Sequence, residues 1–126
     1  MDRRVLSGED AVARLQERQA AFQKTVAATQ EMATRMRTLT ATASDANGLA
    51  TVTVDSSGVL LKADFSARIQ RTAPEAVSRA LMEALTAAKL NVAAQTQEVI
   101  ADTVGADSET GRAVSQDLQN RLGGGQ

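Results

Sequence analysis

The chain has 126 residues, the size of one domain with a short tail. Apolar residues make up 43% of it, but 24 of them are alanine, and the formal net charge is −1. The absence of Cys, His, Trp and Tyr excludes disulfides, thiolate nucleophiles, the usual structural zinc sites and a triad base. Asp, Glu, Ser and Lys form no cluster that suggests catalysis, so the chain is expected to be no enzyme and to hold no metal or cofactor. No run reaches the ~18 apolar residues of a membrane span, and no apolar core follows Arg3 and Arg4 as it would in a secretory signal. A soluble cytoplasmic protein without membrane insertion or a small-molecule substrate is the expectation.

Ser7 to Arg37 reads as one long helix, with Ser7 as N-cap and Glu9 and Asp10 in the first turn. Val12, Gln19, Val26 and Ala33 are spaced seven apart, as are Leu15, Phe22, Thr29 and Met36. The two series together form the seam of a coiled coil, with Gln19 and Thr29 as polar interruptions. A helix of ~45 Å is longer than so small a domain covers. Leu15, Phe22, Val26 and Met36 are therefore candidate dimer-interface residues. Met32 and Met36 also suit ordinary helix packing.

Thr38 to Ser44 is rich in β-branched threonine and suits a short strand. Asp45-Ala46-Asn47-Gly48 marks a turn, and Leu49 to Asp55 alternates as a half-buried strand. Asp55-Ser56-Ser57-Gly58 is a second turn, leading into Val59 to Ser66. Alternation there places Val59, Leu61, Ala63 and Phe65 on one face and Leu60, Lys62 and Asp64 on the other. Two strands around a glycine-containing turn predict a hairpin. Asp55 reads as a turn former and Asp64 as an exposed strand residue. Gly48 and Gly58 read as turn residues, since no phosphate-loop spacing surrounds them.

The pattern lapses through residues 66–71. Thr72 as N-cap, Pro74 in the first turn and Glu75 completing a capping box then open a second long helix. Its apolar stripe is Val77, Leu81, Leu85, Ala88, Val92 and Val99, its alanines give it a thin profile, and it is expected to end near Gly105. Residues 1–105 form the domain. Residues 106–126 read as an acidic, flexible tail in which Val114, Leu118 and Leu122 allow a short amphipathic helix.

The strand Gly48-Leu-Ala-Thr-Val-Thr-Val-Asp55, the following Ser56-Ser-Gly-Val-Leu-Leu-Lys-Ala-Asp-Phe65 and the alanine-rich helix Val77–Lys89 resemble the YbaB/EbfC family of nucleoid-associated proteins. The resemblance covers roughly residues 10–104. It implies an α+β fold of order α-β-β-β-α, a tweezers-like homodimer with protruding helices, binding to double-stranded DNA, and a place in the bacterial nucleoid. Two features depart from the family pattern. Phe65-Ser66-Ala67 stands where an Asp-Pro pair often follows the last strand, and the extension after Gly105 is longer. These departures leave open an alternative, a protein-interaction or accessory module, for example in specialised secretion, built on the same dimer.

Residues 1–43 hold seven basic and five acidic side chains, whereas residues 102–126 hold two basic and four acidic. The positive charge therefore lies on the first helix, where Arg14, Arg18, Lys24, Arg35 and Arg37 are the candidate DNA contacts. Arg68 and Arg71 form a smaller basic group beside the sheet. Acidic neighbours such as Glu17 and Glu31 equally suit ordinary solvated ion pairs. No helix-turn-helix or other base-reading motif occurs, and two Phe offer little stacking for single strands. Contacts to phosphate, with weak sequence preference and steep salt dependence, are expected. The acidic tail is expected to compete for the basic helix.

Overall fold

The structure, a computed structural model, describes residues 2–123, with side chains from residue 8 onward. Its elements are α1 (Asp2–Thr38), β1 (Thr40–Ser44), β2 (Ala50–Asp55), β3 (Leu60–Phe65), α2 (Pro74–Asp102) and α3 (Glu109–Gly123), with a 3-10 turn at Ala67–Arg71. This is the expected α+β order, with a helix in the extension after Gly105. Ser7 is not the cap of α1 but lies inside it. No proline precedes it, and extending an existing helix by good helix formers is easier than stopping it. The side chains of Arg3, Arg4 and Ser7 lie outside the described residues.

The strands form one antiparallel sheet in the order β1-β2-β3. Asp45 organises the first turn, accepting from the backbone N–H of Ala50 at 2.8 Å and of Asn47 at 3.1 Å. These bonds, that from Ala50 foremost, hold its carboxyl below the ordinary carboxylate range, although burial acts in the opposite direction. Asp55 organises the second turn, accepting from Ser57 and Val59 N–H at 2.9 Å each, with Gly58 at φ +82°. One sheet face is hydroxylic, with Thr42 and Thr53 joined at 2.9 Å and Ser44 and Thr51 at 2.7 Å. The other face carries the buried Ala41, Ala50, Val52 and Val54.

α2 covers that inner face along β1 and β2. The line it buries there is Ala80, Ala84, Ala88 and Val92, while Leu81 and Leu85 pack at the margin. The expected stripe is thus shifted around the helix from Leu81 and Leu85 to alanines. Small side chains let the helix axis lie close to the sheet, and leucines fill the wedge beside the contact. The cap of α2 also differs. Ala73 occupies the N-cap position without a side-chain bond, Pro74 begins the helix, and Thr72 donates its hydroxyl to the Arg68 carbonyl at 2.7 Å. The intervening 3-10 turn, capped by Ser66, has claimed Thr72.

β3 departs from simple alternation. Ala63 pairs with Val52 and Phe65 with Ala50, but a register shift makes Leu60 the partner of Val54. Leu60 therefore shares the inner face with Ala63 and Phe65, and Leu61 is the extra residue of a bulge. All six residues of β3 are exposed, because α2 does not reach across to this edge strand.

α2 ends at Asp102, close to its expected stop, and the Gly105 N–H donates to the Ile100 carbonyl at 2.8 Å. Ser108 then accepts from Gly111 N–H at 2.9 Å, the N-cap bond of α3. A Cβ at Gly111 would collide with the Gly105 carbonyl oxygen. α3 returns along α2, and Leu118 joins Met32, Val99 and Ile100 in a second apolar cluster flanked by Met36, Val114 and Leu122. This cluster ties the last turns of α1 to both later helices.

Candidate nucleic-acid interface

α1 leaves the body of the protein as a free arm. Its residues 8–27 are all exposed, and side chains begin to be covered only from residue 28 onward. Twenty helical residues span about 30 Å. The arm persists because nothing in it breaks a helix after Gly8 and because its base is fixed by Met32 in the second cluster. Thr25 and Thr29 turn their hydroxyls onto the carbonyls of Ala21 and Thr25, so they present little polarity to a neighbour.

The expected seam lies open along this arm. Leu15 is 62% exposed, Phe22 68% and Val26 39%. Met36 is different, half-buried against the rest of its own chain. The structure thus brings Leu15, Phe22 and Val26 together on the arm and separates Met36 from them.

The basic residues divide as well. Arg14 pairs with Asp10 at 3.2 Å one turn earlier. Arg35, at the base of the arm, pairs with Asp102 at 3.6 Å. All four partners of these pairs are largely solvated, so each pair contributes little stability. Arg18, Lys24 and Arg37 make no ion pair among the described residues. Within residues 8–27 the three cations Arg14, Arg18 and Lys24 are matched by Glu9, Asp10 and Glu17, so the arm itself is electrically balanced. Successive 100° steps around the helix place Lys24 opposite the stripe of Val12, Phe22 and Val26, Arg14 to one side of it, and Arg18 beside Phe22. One face of the arm is therefore apolar and the other mixed in charge. Arg68, in the 3-10 turn, is held by the Asn47 carbonyl and the Ser66 hydroxyl, beside the first hairpin turn.

Two exposed apolar surfaces escaped the sequence reading. One is the inner edge of the sheet at Leu60 and Phe65. The consecutive Val59-Leu60-Leu61 was a signal of it, since strict alternation cannot bury three neighbours on one side. The other is a groove along α2 beside α3 that includes Met82 and Leu90. Neither residue falls on the stripe by which the helix was read. Among the described residues no cluster of acidic side chains suits a metal ion, and no helix is long and apolar enough to cross a membrane.

No curated protein and no solved structure matches this chain. The family model described as the YbaB/EbfC DNA-binding family matches residues 9–107, from the start of the arm to the loop before α3. That span contains the arm, the three strands and all of α2, and on it the chain belongs to the YbaB/EbfC DNA-binding family.

Proposed function

We propose that this protein acts as a nucleoid-associated homodimer that binds double-stranded DNA with little sequence preference. The observation that carries the proposal is the projecting arm of α1, solvated over residues 8–27, in a member of a DNA-binding family. Arg14, Arg18, Lys24, Arg35 and Arg37 supply the phosphate contacts, and a second protomer doubles their number. Arg18, Lys24 and Arg37 contribute most, since Arg14 and Arg35 must first leave Asp10 and Asp102. Leu15, Phe22 and Val26 serve the dimer, with Lys24 on the opposite side of the helix, Arg18 at the margin of the stripe and Arg37 at the base of the arm. The work is binding and bridging in the nucleoid of the cytoplasm, without chemistry.

The balanced charge of residues 8–27 favours a second reading, a protein-interaction module in which the apolar stripe of α1 is the working surface. A gel-shift series on duplex DNA separates the two. The first reading expects a complex at ~50 mM salt that is lost steeply by ~200 mM. Absence of any complex at ~50 mM salt would favour the second.

A further inference from the structure

α1 carries an apolar stripe that its own protomer leaves open, and the body carries a groove that no described segment of the chain fills. The groove runs along α2 from Met82 to Gln97 and is walled by Leu118 and Leu122 of α3, with a volume of about 390 Å³. Met82 and Leu90 on its lip are 60% and 67% exposed. From the homodimer reading, on which this step rests, we infer that the occupant of the groove is the α1 arm of the second copy, inserted reciprocally by both protomers.

Four observations favour this occupant. The first is length. Val12 to Val26 covers about 21 Å of helix and Met82 to Gln97 about 22 Å. The second is precedent within the chain, where Met32 of α1 already shares a buried apolar cluster with Leu118 of α3, the residue that also walls the groove. The third is the weakness of the seam. Met36 packs within its own chain and Ala33 is half-covered, which leaves three heptads, and Gln19 and Thr29 occupy core positions in two of them. The fourth is charge. The positions flanking the free seam are Gln16 and Gln23 on one side and Ala11, Arg18 and Thr25 on the other, so two α1 helices zipped together would form no flanking ion pairs to fix their pairing. The groove asks for none. Its polar lining is Thr86, Lys89, Gln97 and Gln119 around an apolar floor, a setting in which an amphipathic helix docks through side chains spaced along one face. Twofold symmetry makes the contact twice and doubles the buried area.

The absence of cysteine makes the test direct. Phe22→Cys and Leu90→Cys are introduced together and singly, both at exposed positions, and mild oxidation is followed on a non-reducing gel. Light scattering on the unaltered protein reports the subunit count independently. A doubling of apparent mass in the double variant, absent from both single variants, is the expected result. Covalent dimer from Phe22→Cys alone would mean that α1 meets α1, and would overturn the groove. A light-scattering dimer in which the double variant forms no crosslink would overturn the groove and leave the homodimer standing. A monomer by light scattering would overturn both.

Discussion

Single residues set the local geometry at three places, and each can be probed alone. Gly111 lies so close to the Gly105 carbonyl that a methyl group has no room. Gly111→Ala should lower stability by about 1–3 kcal/mol, the range for overpacking, in urea unfolding. Asp45 is the depressed carboxylate of the first hairpin turn. Its contribution is present in full above the unfolded pKa of about 3.9 and is lost as pH falls through the lower folded value. Acid titration followed by amide exchange should therefore loosen residues 45–50 only below about pH 4, and Asp45→Asn should flatten that dependence. At the foot of the arm Asp102 holds Arg35. Asp102→Asn should tighten duplex binding at low salt by about 1.5- to 5-fold, the equivalent of an exposed ion pair. Unchanged affinity in fluorescence anisotropy would remove Arg35 from the contact surface.

At the scale of elements, the sequence made helices, strands and turns legible wherever local chemistry decides them. Asp45 and Asp55 form the turns that their spacing announced, and threonines 51 and 53 fall on the hydroxylic face. Reading failed where a neighbour decides. The bulge at Leu61 depends on how β3 meets β2, and the burial of alanines in place of leucines on α2 depends on how closely the sheet approaches. The cap moved from Thr72 to Ala73 because a preceding 3-10 turn took the threonine. The seam of α1 was legible as a pattern, but its division was not. Only the packing of α1 on α2 and α3 shows that Met36 is used within the chain while Leu15 and Phe22 are not. Leu118 is the joint of that division. Leu118→Ala should lower stability by about 2–5 kcal/mol and increase amide exchange at the base of α1 as well as along α3.

For the whole molecule, a composition short of large side chains becomes intelligible as two small cores joined by α2. One holds alanine and valine under the sheet, and the other holds Met32, Val99, Ile100 and Leu118 where the three helices meet. Neither encloses the arm. The surface that remains is an apolar stripe on one side of α1, bordered by Arg18, and mixed charge including Lys24 on the other. The near-zero net charge averages residues 1–43, with seven basic and five acidic side chains, against residues 102–126, with two basic and four acidic. The most direct test is the salt dependence of duplex DNA affinity, measured on the full chain and on a variant with Arg18→Gln and Lys24→Gln. Contact by Arg18, Lys24 and Arg37 of both protomers gives a slope of log K against log salt of about −5, rising to about −9 if all five cations of each take part. The double variant removes four contacts from the dimer, and its slope should be shallower by about 4. The same slope in both proteins would contradict the assignment of DNA contacts to the α1 arm.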